Sequence, residues 1–169
     1  MSQALVELLH GKGAHVDPLA CVEDISAEVA SQHVPGFPHS IGELVYHMNY
    51  WMSYELRRIR GEEPPYPEHA SESFPAPPAP LDASQWDRFR RDFAWFIAEF
   101  IALAQSPGAD FDRQIESSPA ASQQQSSKLN SLEAILWQIV AHNSYHTGQI
   151  VMIRQALNAW PPTSGGDTW

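Results

Sequence analysis

Apolar positions along this chain recur at steps of three and four residues, and no stretch sustains the alternation of a half-buried strand, so the pattern predicts helices. The most regular stripe is the last: Leu132, Ile135, Ile139, His142, His146, Gln149 and Ile153 follow one another by three, four, three, four, three and four. An earlier row, Trp86, Phe89, Phe93, Phe96, Phe100 and Leu103, starts behind Asp82 and stops at Pro107-Gly108; it reads as core. A third helix is predicted over Ser40 to Arg60, with Leu44, Met48, Trp51, Met52, Leu56 and Ile59 at helical spacing. It opens with Ser40-Ile-Gly-Glu43, a capping-box pattern. Asp17-Pro18 reads as the cap and first residue of the first bundle helix, with Leu19, Val22 and Ile25 as its buried edge. Before it, Ala4 to Leu9 makes a short helical turn, broken at Gly11-Lys-Gly13.

The connections divide the pattern further. Glu62 to Pro80 holds Pro64, Pro65, Pro67, Pro75, Pro77, Pro78 and Pro80, which excludes helix and central strand. A segment that long suits a crossover along a bundle or a lid over its mouth. Ser117 to Lys128 is rich in Ser and Gln and reads as a mobile loop, and Asn130-Ser-Leu-Glu133 caps the last helix. The expected fold is all-α: a four-helix bundle with a long proline-rich connection between helices two and three, forming one domain over residues 1–169.

Composition agrees with one globular core, at 169 residues, 43% hydrophobic and 18% charged. No apolar run is long enough to span a membrane, and the first residues carry neither a basic region nor a long apolar core, so no secretory signal is expected. Twenty acidic against ten basic residues give a formal net charge of −10, which argues against a nucleic-acid partner. The basic run Arg57-Arg58-Ile59-Arg60 reads as complementing a helix C-terminus before the stop at Gly61, and Arg88, Arg90 and Arg91 as a solvated face. A lone Cys21 among apolar neighbours reads as a small buried residue and precludes an internal disulfide. These features fit a cytoplasmic protein.

Charge and composition leave one candidate chemistry. His142 and His146 stand one helical turn apart on the buried line, where leucines are usual, and two imidazoles so placed can reach a common metal ion. A third ligand must come from elsewhere. His47, between Leu44 and Trp51 on an early helix, is the best placed. His39 precedes the cap, His69 lies among prolines, and His10, His15 and His33 sit in polar or glycine-containing surroundings that predict exposure; the apolar neighbours Ala14 and Val16 keep His15 open as an alternative. Ligating histidines need partners for their second nitrogens. Glu43, one turn before His47, can supply one, in competition with its capping role. Gln149, three residues after His146, can supply another. Tyr145 lies off the ligand line and reads as packing.

The last helix, His142-Asn-Ser-Tyr-His146-Thr-Gly-Gln149-Ile-Val-Met-Ile-Arg154, with His47 on an early helix, resembles the DinB-like family of bacterial four-helix-bundle metalloproteins. The stretch Pro35-Gly-Phe-Pro-His-Ser40-Ile-Gly-Glu43-Leu-Val-Tyr-His47 and the ending Trp160-Pro-Pro-Thr-Ser-Gly-Gly-Asp-Thr-Trp169 are similar to it as well. The resemblance implies a divalent metal on His47, His142 and His146 and a bundle of unusual helix order. Some members of the family transfer or isomerise substrates with low-molecular-weight thiols such as bacillithiol or mycothiol.

A three-histidine site leaves a coordination position open, as working rather than structural metals require. The expected cofactor is one divalent transition metal, zinc or nickel first, with iron or manganese as alternatives. The expected function is a metal-dependent thiol transferase or hydrolase-like enzyme that activates a thiol or water. The alternative is a non-catalytic or stress-related protein that captures a small ligand in the metal-lined pocket. The expected partners are a small-molecule substrate, with a low-molecular-weight thiol as the candidate, and a second copy of the chain. Trp95, Ile97 and Ile101 widen the aromatic face of the third helix enough to serve a homodimer.

Overall fold

A computed structural model describes residues 2–74, 80–116 and 130–166. Five α-helices form it: α1 (Ser2–Leu9), α2 (Ala27–Ser31), α3 (Ile41–Ile59), α4 (Ala83–Gln105) and α5 (Leu132–Ala156). Among the described residues the only strand-like pairing is an isolated bridge between Gln114 and Ser131. The bundle is therefore all-α. Each of α1 and α3 packs against both α4 and α5, which sets α1 across the diagonal from α3. The stretch assigned above to a mobile loop, Ser117 to Lys128, lies outside the described residues.

The caps fall where the residue chemistry places them. Ser40 and Glu43 form a reciprocal capping box at the start of α3, and Asp82 with Gln85 forms another at α4. At α5 the cap is Ser131, whose hydroxyl accepts from the Ala134 amide. Gly61 ends α3 in the left-handed region, at φ 83°, where a side chain would be strained.

Two expectations about the elements are corrected. Residues 17–25 do not form the first bundle helix. Asp17 caps only a turn, its carboxylate accepting from the Leu19 amide, and the chain continues in turns that still bury Val22 and Ile25. The short α1 takes the place in the bundle instead, with Leu5 and Leu9 in the core. Tertiary burial stabilises eight residues that would be marginal as an isolated helix. The proline-rich connection also contains a 3-10 turn, Ala70–Ser73, in the prolines' longest gap.

The aromatic row of α4 is core, but its inner line is Trp86, Phe89, Phe93, Ile97, Phe100 and Ala104, with Phe96 half-buried at its edge. At 3.6 residues per turn, strict alternation of three and four drifts around the helix, and Ile97 rotates inward. It is buried and adds nothing to the outer face; Trp95 is 47% exposed. The more continuous outer apolar line belongs to α5, where Trp137, Ala141, Tyr145, Gly148 and Met152 are all exposed.

Two arginines lie in the interior. Arg58, read from the sequence as complementing the helix C-terminus, is buried and pairs with buried Glu55 at 2.7 Å. It also donates to the Glu116 carbonyl and to Asn130 Oδ1. Its neighbours Arg57 and Arg60 reach outward to Glu62 and Glu99. Arg90 donates to the Glu23 carbonyl and to Asp87 rather than standing free. Arg154, near the end of α5, donates to the carbonyls of Ala159 and Cys21 and to Asp24 Oδ1, so it ties α5 to the turns after α1. Partial burial raises the Asp24 carboxyl, but hydrogen bonds from Thr163 and Arg154 outweigh it and hold it below its ordinary value. Cys21 is fully buried, and burial pushes its thiol up to about 12, so it is an inert core residue.

Truncating Arg154 removes the donor from the buried Cys21 carbonyl, from the Ala159 carbonyl and from Asp24 Oδ1. Arg154→Ala is expected to destabilise the protein by about 3 kcal/mol, and Arg154→Lys by about 1–2 kcal/mol because one ammonium cannot serve all three acceptors. Urea unfolding midpoints at constant slope measure both.

Candidate metal centre

The centre lies where α3 meets α5. Helical spacing on α5 puts His142 and His146 on its inner side, and α3 brings His47 against them. One nitrogen of each of the three rings lies within 4.8 Å of the others. His47 Nε2 and His142 Nε2 are 3.1 Å apart. Two nitrogens that share a tetrahedral ion at about 2.0–2.1 Å are separated by about 3.3 Å, so this pair already has the spacing of common ligands. His47 and His146 are buried and His142 half-buried.

The remaining ring nitrogens decide the tautomers. Ser73 donates its hydroxyl to the Ala70 carbonyl at 2.5 Å, so its oxygen is left to accept from His47 Nδ1 at 2.8 Å. The proton on His47 is thereby held at Nδ1 and the lone pair at Nε2 faces the other rings. Gln149 Oε1, which can only accept, takes the proton of His146 Nδ1 at 2.7 Å, leaving His146 Nε2 as the donor atom. The Gln149 amide nitrogen donates to the Tyr145 hydroxyl, and the Tyr145 ring packs edge-on to His146 while remaining 65% exposed. His142 Nδ1 is buried without a partner among the described residues.

Glu43 does not serve His47. Its carboxylate closes the capping box at the Ser40 amide and lies 3.3 Å from His33 and 3.6 Å from His39. The capping geometry holds it at the helix start, one turn too far back, and Ser73 occupies the place instead. The other histidines lie apart from the three. His15, expected to be exposed, is half-buried, donating from Nδ1 to the Val16 carbonyl and accepting from Ser144 at Nε2. His10 pairs with Asp17. His39 has an unforeseen part: its ring stacks on Phe74 at 3.9 Å and His47 stacks on Phe74 at 4.2 Å, both nearly parallel, so Phe74 is sandwiched between them.

Ser73 and Phe74 come from the proline-rich connection, where nothing in the local pattern singles them out. Glu55 was legible but passed over: it falls on the line Met48, Met52, Glu55, Ile59, a carboxylate on an apolar face. Beside His142 lies a pocket of about 140 Å³ lined by Trp51, Glu55, Tyr66, Gln138, Ile139 and His142. Trp51 is edge-on to His47 and also meets Tyr66, so the pocket adjoins the histidine cluster.

All three imidazoles are held neutral. Burial, followed by the neighbouring His142 and His146, pushes His47 down to about 3 against the opposing bond from Ser73. Burial and His146 push His142 down to about 4. Burial lowers His146 as well, with Gln149 opposing. Neutral rings with two tautomers fixed are what a divalent ion requires of its ligands, and an ion bound to His142 Nε2 leaves Nδ1 as a donor. The donor set fits a metal.

A family model described as the DinB superfamily matches residues 15–150. No curated protein and no solved structure matches the chain.

The depressed histidines make stability pH-dependent in the metal-free protein. The unfolded chain takes up protons as pH falls through about 6.5, whereas the folded chain resists them down to about 4 for His142 and about 3 for His47. Stability is therefore fully present above pH 6.5 and falls as the pH drops toward 4. His142→Leu is expected to flatten this fall. Urea midpoints of chelator-treated protein between pH 7 and pH 4.5 measure it; a slope equal to that of the parent contradicts the neutral-histidine assignment.

Proposed function

The chain belongs to the DinB superfamily, and on that premise we propose that it is a divalent-metal-dependent enzyme acting on a small molecule, with a thiol or water as nucleophile, as in a thiol transferase or a hydrolase. The observation that carries this reading is the convergence of three neutral imidazoles with a small pocket of about 140 Å³ against one of them. His47, His142 and His146 would hold the ion, zinc or nickel first, with iron or manganese as alternatives. Such an ion supplies Lewis acidity, favouring the deprotonated form of a thiol or water beside it.

The chain's own residues do the rest. Ser73 and Gln149 fix which nitrogen of His47 and of His146 carries the proton, and so aim both lone pairs at one point. Phe74, stacked on His47, covers one side of that ring from water. Trp51, Tyr66 and Ile139 form apolar walls that orient a small substrate beside His142. A cytoplasmic setting belongs to the same proposal, since low-molecular-weight thiols are kept reduced there. No helix among the described residues is long and apolar enough to cross a membrane.

Stoichiometric divalent metal is expected to co-purify. His142→Ala and His146→Ala should each lose most of it, and His47→Ala should bind more weakly in a chelator competition while staying folded. Unchanged metal content in the first two overturns the site; loss on His15→Ala but not on His47→Ala overturns the choice of third ligand. Catalysis is tested by coupling cysteamine to 1-chloro-2,4-dinitrobenzene, where a carbon–sulfur bond forms and chloride leaves. A metal-dependent rate above background is expected. Tight thiol binding without turnover of this or other electrophiles supports the ligand-capturing protein instead.

The homodimer rests on the outer line of α5, where Trp137, Tyr145 and Met152 are 39%, 65% and 57% exposed, with Ala141 and Gly148 between them and no charge along the line. A two-fold axis would set this uncharged stripe against itself. Sedimentation at micromolar concentration is expected to give twice the chain mass, and Tyr145→Glu to give the monomer.

A further inference from the structure

The pocket beside His142 presents rings and no free charge. Glu55 is buried and its carboxylate is matched by buried Arg58, and Ile139 is closed off as well. The half-buried members of the lining, which keep surface to offer, are Trp51, Tyr66, Gln138 and His142. Three of these four carry aromatic rings and the fourth is an uncharged amide. The walls are braced before anything binds: Trp51, Tyr54 and Tyr66 form a closed triangle of ring contacts, with centroids 5.5, 5.7 and 5.7 Å apart. Tyr66 stands between Pro65 and Pro67, which restrict its backbone to an extended form. The space of about 140 Å³ is close to an apolar cavity of about 150 Å³ known to hold one benzene molecule. A charged group would lose its water there without meeting an opposite free charge. A saturated group fills the volume without matching the quadrupoles of the walls, whereas a flat ring meets them edge-to-face or offset.

We infer that this pocket is the binding subsite for a single uncharged aromatic ring of a small substrate, with Trp51 and Tyr66 as its walls. His142 lines the pocket and belongs to the histidine cluster, so a group attached to that ring reaches the three-histidine centre. The substrate class is therefore a small aromatic compound whose metal-seeking group is joined directly to its ring; this part of the inference rests on the function proposed above. Trp51 comes from α3, His142 from α5 and Tyr66 from the proline-rich connection. The connection that supplies Ser73 to His47 thus also completes the ring subsite.

Calorimetry on the metal-containing protein at pH 7.5 tests the subsite with three compounds that share one metal-binding group: acetohydroxamate, cyclohexanecarbohydroxamate and benzohydroxamate. Benzohydroxamate is expected to bind about tenfold or more tighter than acetohydroxamate, as burial of one ring supplies. It is expected to bind about threefold or more tighter than the cyclohexane compound, the worth of aromatic over saturated contact with ring walls. Tyr66→Leu should bring the ratio between the two ring compounds toward one while leaving acetohydroxamate unchanged. Trp51→Leu should do the same, and it decides the matter if Tyr66→Leu does not fold. Equal affinity for benzohydroxamate and acetohydroxamate in the parent protein, or no binding of benzohydroxamate, overturns the subsite. Equal affinity for the two ring compounds overturns the assignment to an aromatic ring, and an unchanged ratio in a folded variant overturns its place between Trp51 and Tyr66. The function proposed above fails separately: acetohydroxamate binding that persists at full strength after metal removal shows that the metal-seeking group does not use the centre, whereas the ratio between the ring compounds reports on the pocket walls alone.

Discussion

A buried imidazole has two nitrogens, and this fold is arranged around what each of them meets. Three rings brought together from α3 and α5 place their ligand-side nitrogens within 4.8 Å. In a bundle core that requires neutral rings, and a partner on an outer nitrogen lowers the cost of burying it. Ser73 satisfies His47 and Gln149 satisfies His146. The first comes from a connection and the second from the next turn of the same helix. The proline-rich connection is thus part of the site: its short 3-10 turn delivers a hydroxyl whose own proton is already committed to a carbonyl, so its direction of hydrogen bonding is fixed.

Polar groups elsewhere in the interior follow the same logic, with a different balance. Arg154 is fully matched by two carbonyls and Asp24 and acts as a fastener between α5 and the turns that follow α1. Glu55 and Arg58 are less evenly matched. The guanidinium reaches Glu55, Glu116 and Asn130, whereas one carboxylate oxygen has no donor. Burial raises the Glu55 carboxyl and the guanidinium at 2.7 Å opposes it. A pair that served stability alone would be expected to leave neither partner half-satisfied. Glu55 also lines the pocket that adjoins the histidines, so the buried ion pair lies beside the site.

Helical periodicity alone established the α3, α4 and α5 segments and their caps, because hydrogen bonding within a helix is local and the repeat of 3.6 residues is written in consecutive positions. The inward direction of His142, His146 and Gln149 followed from the same repeat. So did the marking of Glu55, had a carboxylate on an apolar line been weighed. Where local signals were weak, tertiary packing decided. Asp17-Pro18 has the chemistry of a helix start yet makes only a turn, and the eight residues of α1 are helical because α4 and α5 bury Leu5 and Leu9.

His47 was selected from the sequence as the best of several histidines, but its meeting with the other two joins positions 95 and 99 residues apart, and no periodicity reaches that far. Ser73 in place of Glu43, Phe74 between His39 and His47, and the pocket walled by Trp51 and Tyr66 depend likewise on how a connection folds back over α3. The sequence by itself determined which residue types could bind a metal and which helix faces they occupy. Only the tertiary structure decided which nitrogen each ring presents, because the partner that fixes a tautomer is a neighbour in space and not in the chain.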